Sequence, residues 1–319
     1  MSERVPPPFD PELAAALAAV SDTVWPSLRP DQIALKRAVP RLPAGEFTLG
    51  GVFTAEDLVV PGPEGAPDIS LLVCRPVSAR EPVAALYFIH GGGMVMGDNR
   101  AGVPDMLELA AELGMAVVSV EYRLAPENPH PAPVEDCYAG LLWTFENAAK
   151  IGVDPARVVV GGSSAGGGLA AALALMARDL DGPEILGQLL LCPMLDDRDD
   201  TFSGFQMTGL GTWDRVANDT GWNALLGAAR GGPDVSPYAA PARAGDLSGL
   251  PPAFIDVGSA ESFRDEDVAY AARIWQAGGR AELHVWPGGF HGFDFLSPRA
   301  ALSRDSREAR VRWMRRLLA

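Results

Sequence analysis

Two kinds of segment alternate along the chain from about residue 55. Short apolar or β-branched runs are typical of strands, and longer Ala-, Leu- and Glu-rich segments are typical of helices. The runs that predict strands are Ile69–Val73, Val83–Ile89, Ala116–Val120, Arg157–Val160, Leu186–Leu191, Ala253–Val257 and Glu282–Trp286. The segments that predict helices are Pro104–Leu113, Val134–Ala149, Ala165–Arg178, Glu266–Ala277 and Arg304–Leu318. This alternation predicts an α/β fold, a mostly parallel sheet with helices on both faces.

Two regions interrupt the alternation. Residues 1–45 contain a helical run flanked by prolines, and residues 199–225 are rich in Phe, Met, Trp and Gly. We predict that both pack over one edge of the sheet as a helical cap. The chain, 1–319, would then be one domain, with a cap from about 1–45 and 199–225 and a catalytic core from about 46–198 and 226–319. The alternative is a disordered N-terminal tail and a surface loop.

Composition narrows the partners and the compartment. Among 319 residues, 26 Lys and Arg face 41 Asp and Glu, a formal charge of −15, which argues against nucleic acid and against an anionic membrane surface. No run of 18 apolar residues predicts stable membrane insertion, and the N-terminus does not resemble a secretory signal. Three well-spaced cysteines, Cys74, Cys137 and Cys192, form neither a disulfide framework nor a metal motif. We therefore expect a cytoplasmic protein.

A glycine-rich turn carries the strongest chemical signal. The predicted strand Arg157–Val160 runs through Gly162-Ser163-Ser164-Ala165-Gly166 into a predicted helix. This is a Gly-x-Ser-x-Gly pattern in the strand–turn–helix setting of a nucleophile elbow, and it centres on Ser164. The alternative is a glycine-rich turn of the phosphate-binding kind.

A second glycine motif reduces that ambiguity. His90-Gly91-Gly92-Gly93 follows the predicted strand Val83–Ile89. Consecutive glycines expose backbone N–H groups and allow a substrate oxygen to come close, as in the oxyanion-hole loops of lipases and esterases. The predicted donors are the N–H groups of Gly92 and Gly93, with a third from Ala165. We interpret His90 as a structural residue that orders the loop.

Taken together, the two motifs resemble the bacterial hormone-sensitive-lipase family of α/β-hydrolase carboxylesterases. The segments 122–127 (YRLAPE) and 131–136 (PAPVED) are similar to that family's sequence between the motifs, and the likeness extends from about residue 70 to the C-terminus. The resemblance implies an eight-stranded, mostly parallel sheet flanked by helices, with a cap over the active site. The residue before the nucleophile is often Asp or Thr in this family. Here it is Ser163, which is similar to Thr, so the chain resembles the Thr-type subgroup.

The general base is selected from four histidines, His90, His130, His284 and His291. In this fold the chain order is Ser, acid, His, so only the last two are candidates. His284 lies inside a predicted strand, whereas His291 follows it in a loop, where α/β catalytic groups gather. We therefore assign the base to His291, and the resemblance implies the same residue.

The acid is less constrained by the sequence. The resemblance implies Glu261, which stands where the family usually has Asp. Asp265, near the start of the next predicted helix, and Asp256, within a predicted strand, are the alternatives. A Glu can hold the imidazole in this fold.

These residues predict a carboxylesterase that acts on short- to medium-chain esters through an acyl-enzyme, without metal or cofactor. Two alternatives remain: an amidase or peptidase with the same triad, and a non-catalytic binding protein on this scaffold. Apolar residues after the oxyanion loop and in the second interruption could line the substrate pocket or form only a small core: Met94, Met96, Phe202, Phe205, Met207, Leu210 and Trp213. The strand Glu282–Trp286 could lie at a sheet edge and pair across a two-fold axis, which would make a homodimer.

Overall fold

The computed structural model describes residues 4–38 and 40–319, and within them there are eight strands and eleven α-helices. The strands are β1 (Phe53–Val60), β2 (Ile69–Pro76), β3 (Val83–Ile89), β4 (Ala116–Val120), β5 (Val153–Ser163), β6 (Gly187–Leu191), β7 (Ala253–Gly258) and β8 (Ala281–Trp286). The helices are α1 (Pro11–Ala19), α2 (Ile33–Arg37), α3 (Val103–Leu113), α4 (Ala132–Glu146), α5 (Ala148–Ile151), α6 (Ala165–Asp179), α7 (Phe202–Gln206), α8 (Arg215–Leu226), α9 (Arg264–Gln276), α10 (Phe293–Leu296) and α11 (Ala301–Leu318).

The strands form one sheet in the order β1-β2-β4-β3-β5-β6-β7-β8. The pairings β1–β2 and β2–β4 are antiparallel, and the remaining five are parallel. This confirms the predicted eight-stranded, mostly parallel sheet. The parallel part brings the carboxyl ends of β3, β5, β6, β7 and β8 to one edge, where ligands of open α/β sheets bind.

Both faces of the sheet are covered, as the apolar strand runs require. Along β3, Tyr87 and Ile89 join one apolar cluster, which includes buried residues of α4, α6 and α9. Leu86 and Phe88, which point the other way, join a second cluster with residues of α3 and α11. The alternation of side chains along a strand therefore divides the core into two layers around the sheet.

One strand, β1, lacks a predictive pattern in the sequence, and several elements differ in length from the prediction. β1 pairs with β2 over its whole length but exposes much of its surface, and Glu56 and Asp57 break its apolar pattern. Charged residues are typical of edge strands, which have one unpaired side. β5 is longer than the predicted Arg157–Val160, and the predicted helix Val134–Ala149 is two helices, α4 and α5, which meet at Asn147.

The opposite edge of the sheet is β8, as expected for the segment Glu282–Trp286. Five of its six side chains are half-buried and one is exposed. The homodimer inferred from this edge stays a prediction. Among the described helices, none is long and apolar enough to cross a bilayer.

The two interrupting regions contact each other. The backbone N–H of Asp214 donates to the carbonyl of Pro26 (2.9 Å), and the Asp214 carboxylate accepts the hydroxyl of Ser27 (2.7 Å). Thr220 donates its hydroxyl to the carbonyl of Leu28 (2.7 Å). The N-terminal region contains α1 and α2 and is ordered against residues 199–225. Residues 1–3 and 39 of the predicted cap lie outside the described residues, and the division into cap and core stays a prediction.

Candidate active site

Ser164 stands in a strained turn between β5 and α6. Its backbone has φ 57° and ψ −120°, outside the conformations that ordinary residues prefer. A Cβ at Gly162 would lie 2.2 Å from the carbonyl oxygen of Gly166, and a Cβ at Gly166 would lie 2.0 Å from that of Ile89. Only glycine fits at these two positions, so the turn has the close strand–helix packing of a nucleophile elbow.

His291 joins Ser164 to Glu261. It lies in the loop after β8, and its Nε2 is 2.9 Å from Ser164 Oγ, while its Nδ1 is 3.0 Å from Glu261 Oε1. The other carboxylate oxygen, Oε2, accepts the N–H of Gly258 at the end of β7 (3.0 Å). A carboxylate only accepts, so Nδ1 donates to it and the lone pair of Nε2 faces the serine hydroxyl. This tautomer can take the proton of Ser164.

The two alternative acids have other partners. Asp265 accepts the backbone N–H of Ser203 (2.8 Å) and the guanidinium of Arg264 (2.8 Å). Asp256 forms a buried ion pair with Arg310 (2.8 Å). The Glu261 carboxylate is the one that bonds to His291, and its second oxygen accepts the N–H of Gly258.

The glycine loop lies directly against the elbow. A Cβ at Gly91 would lie 2.9 Å from the carbonyl oxygen of Ser163 and 3.3 Å from Ser164 Cβ. Gly92 and Gly93 have φ of +108° and +62°, which turn the backbone in a way that favours glycine. Within residues 4–38 and 40–319, the N–H groups of Gly92 and Gly93 have no acceptor, and that of Ala165 opens a helix. The fold thus leaves these three N–H groups without an acceptor among the described residues.

His90 connects this loop to Tyr122. Its ring stacks on Tyr122 with centroids 4.2 Å apart, and its Nδ1 lies 2.8 Å from the carbonyl oxygen of Gly91. Tyr122 donates its hydroxyl to the carbonyl of His90 (3.0 Å). Complete burial lowers the pKa of His90 to about 4, so the ring is neutral at physiological pH. The geometry fits a structural residue, as expected.

A cavity of about 420 Å³ opens over Ser164 and His291. Besides these two and the glycine loop, its side-chain lining includes Lys36, Met96, Cys192, Trp213 and Phe295. Two of the seven residues predicted for the pocket or a small core, Met96 and Trp213, are therefore on its surface.

The other five predicted residues do not line the cavity; among them Phe202 is exposed and Leu210 is half-buried. Met94 and Met207 are each 1 % exposed and do not line the cavity. Phe205 packs its ring under the guanidinium groups of Arg4 and Arg215, with ring centroids 4.2 and 3.8 Å away. None of these five side chains forms part of the cavity wall.

Cys192 lines the cavity, although the sequence pattern gave it no role beyond excluding a disulfide framework and a metal motif. Its thiol, the Glu261 carboxylate and His291 have atoms within 4.8 Å of one another, a set that could in principle ligate a metal. Burial and the nearby Glu261 raise the pKa of the thiol well above its usual value, and His291 is bonded to Glu261. A protonated thiol is a poor ligand, so the set fits a triad better than a metal site. Cys192 directly follows β6, and residues at the carboxyl ends of parallel strands often line the ligand site, so its position in the sequence could have indicated a place in the cavity.

The sequence is similar to those of known α/β hydrolases. The profile of a family with the α/β-hydrolase fold matches residues 86–295. The carboxylesterase NlhH of Mycobacterium tuberculosis strain H37Rv is 38 % identical over 251 residues, covering 73 % of this chain and 73 % of that protein. Esterase LipI of the same strain is 37 % identical over 245 residues, covering 74 % of each chain.

Solved structures agree over nearly the whole chain. A bacterial heroin esterase superposes with a TM-score of 0.87 at 39 % identity and covers 98 % of both chains. Esterase LipW from Mycobacterium marinum gives 0.86 at 33 % identity and covers 99 % of both. The sheet, the elbow and these relatives agree, and the chain belongs to the hormone-sensitive-lipase family of α/β-hydrolase carboxylesterases.

Proposed function

We propose that this protein hydrolyses short- to medium-chain carboxylic esters with Ser164 as nucleophile, His291 as general base and acid, and Glu261 as the group that orients the imidazole. One observation carries the proposal: His291 bridges the serine hydroxyl and the glutamate carboxylate at 2.9 and 3.0 Å. This is the arrangement that lets an imidazole remove the hydroxyl proton while a carboxylate stabilises the resulting imidazolium.

The reaction proceeds in two steps. In the first, His291 Nε2 takes the proton of Ser164 as Oγ attacks the ester carbonyl, and the tetrahedral oxyanion accepts hydrogen bonds from the N–H groups of Gly92, Gly93 and Ala165. Collapse expels the alkoxide, which receives the same proton from His291 and leaves as the alcohol. In the second, His291 takes a proton from water, whose oxygen attacks the acyl-enzyme, and returns it to Ser164 as the carboxylic acid leaves.

The cavity supports the size range of the substrate. Its volume of about 420 Å³ is near the lower end of small-molecule sites, which span roughly 300–1,000 Å³. Met96, Trp213 and Phe295 supply apolar wall, so an acyl chain of modest length gains burial there. A long chain would extend out of this cavity.

A series of 4-nitrophenyl esters from acetate to palmitate tests the proposal. We expect kcat/KM to be greatest for acyl chains of about two to eight carbons and to fall for longer chains, and the matched 4-nitroanilides should be cleaved far more slowly. Faster cleavage of an anilide than of its ester would indicate an amidase. No turnover of any ester by pure, folded protein would contradict the proposed function.

A further inference from the structure

One cationic side chain lines the cavity of the candidate active site. Lys36, on α2, lines the cavity over Ser164, and apart from His291 it is the only ionisable nitrogen base in that lining. It is half-buried, and its ammonium lies 4.6 Å from the ring centroid of Trp25. Among residues 4–38 and 40–319, no carboxylate lies within 4.0 Å of it. The ammonium of Lys36 therefore makes a cation–π contact with Trp25 and is not neutralised by an anion.

The neighbouring cations differ in this respect. A second cavity of about 710 Å³ adjoins the first and shares Lys36, Gly97, Ala101, Gly102 and Phe295 with it. Each of the three arginines that line the second cavity bonds to a carboxylate: Arg37 to Glu127 (2.8 Å), Arg41 to Glu121 (3.4 Å) and Arg100 to Asp57 (2.6 Å). Lys36 is thus the cation that remains available where the two cavities meet.

The position of Lys36 between the two cavities allows its charge to act on a bound substrate. A substrate whose scissile carbonyl sits at Ser164 and whose remote end extends into the second cavity crosses the residues that both cavities share, and Lys36 is the charged one among them. The protein carries a formal charge of −15, which repels anions at long range, so a local cation in this path is the feature that could retain one. An ammonium is a compact point charge and binds a carboxylate without demanding a fixed orientation.

We propose that Lys36 makes the enzyme favour esters that carry a carboxylate remote from the scissile bond, such as half-esters of dicarboxylic acids. The inference rests on the proposed esterase function and names its substrate class. The interaction forms in the ground state and the transition state alike, because the carboxylate lies away from the reacting atoms. It should therefore act mainly on KM.

The test compares two esters that differ in one charge. The 4-nitrophenyl half-ester of adipic acid is anionic, and its neutral counterpart is 4-nitrophenyl methyl adipate; both are assayed with background hydrolysis subtracted. For the Lys36→Met variant we expect the ratio of kcat/KM, anionic over neutral, to fall about three- to tenfold through KM, the range of a partly screened ion pair. Raising the salt concentration should lower the wild-type ratio in the same direction.

The chain provides a matched control. It contains two lysines, and the other, Lys150, likewise stands over an indole, that of Trp143, at 5.5 Å. Lys150→Met should leave the ratio unchanged, and Lys36→Glu should lower it further than Lys36→Met. An unchanged ratio in both Lys36 variants would overturn the inference while leaving the esterase function intact. Failure of the wild type to cleave either ester would overturn both.

Discussion

Glu261 holds His291 with one carboxylate oxygen and the backbone of Gly258 with the other, at 3.0 Å in each case. The side chain is 2 % exposed, so water does not compete for either bond. The N–H of Gly258 fixes the carboxylate at the end of β7, and the carboxylate in turn fixes the tautomer of the imidazole. Glu261 is therefore positioned by the sheet itself.

Glu261→Gln should lower kcat/KM by about 10³- to 10⁴-fold, because an amide can present its NH₂ to Nδ1 and select the wrong tautomer. Asp265→Asn is the control, since Asp265 bonds to Ser203 and Arg264 and not to His291. It should retain at least about a tenth of wild-type activity. Steady-state kinetics on a 4-nitrophenyl ester measures both, and a larger loss for Asp265→Asn would assign the acid to that residue.

Gly93→Ala should abolish most of the activity. A Cβ there would lie 2.4 Å from the Trp213 indole, so either the loop that offers the predicted oxyanion donors or the Trp213 ring on the cavity wall must shift. Displacing one such donor costs about 100-fold or more in kcat. Gly114→Ala is matched in backbone conformation, with φ +65° against +62°, but its Cβ would meet no atom of the described part of the chain within 4 Å. It should cost about 1–2 kcal/mol of stability and leave kcat near wild type; equal kcat losses in the two variants would refute the proposed role of the loop.

Arg310→Met should destabilise the fold by about 3–5 kcal/mol, measured by urea unfolding. Arg310 is 3 % exposed and bonds to both Asp256 and Asp294, so its removal leaves two buried carboxylates without their cation. Arg312→Met, on the same helix, removes an exposed pair with Glu308 and should cost under about 1 kcal/mol. Similar losses for the two variants would show that the buried network contributes no more than a surface pair.

His90 should make stability depend on pH. Burial lowers its pKa from 6.5 to about 4 in the folded protein, so between these values the unfolded chain binds a proton that the folded chain does not. This contribution is fully present above pH 6.5 and is lost as the pH falls toward 4, by at most about 3 kcal/mol. Burial raises the pKa of Asp199 to about 6, and this shift makes stability increase as the pH falls, opposite to the effect of His90. The contribution of His90 must therefore be measured as the difference between the wild type and a His90 variant. His90→Gln should flatten the curve of unfolding free energy against pH between 5 and 7, and parallel curves would contradict this.

The parts of the fold that could be predicted are those with a strong local pattern. β3 and β4 are buried on both faces, so their apolar runs mark both ends correctly. β1 lies at an edge, and its burial depends on β2, which no local pattern reveals. The glycine motifs identified Ser164 and the loop beside it, because a tight turn constrains sequence strongly.

Other site residues depend on long-range packing. Lys36 reaches the cavity because α2 is bonded to distant loops, where Arg37 donates to the carbonyls of Val95 and Ala125, and nothing near it in sequence indicates this. Met94 and Met207 have the composition of pocket residues, yet the packing buries both away from the cavity. Apolar character alone does not distinguish a pocket wall from a small core.

The central claim, that Ser164 is the activated nucleophile, is tested most directly by covalent labelling. A serine-directed fluorophosphonate should modify the wild-type protein at a stoichiometry of one, with inactivation in parallel, and peptide mass spectrometry should locate the adduct on Ser164. Ser163→Ala should still be labelled, whereas Ser164→Ala should be neither labelled nor active on 4-nitrophenyl esters. An adduct on another residue, or esterase activity that survives in Ser164→Ala, would contradict the mechanism.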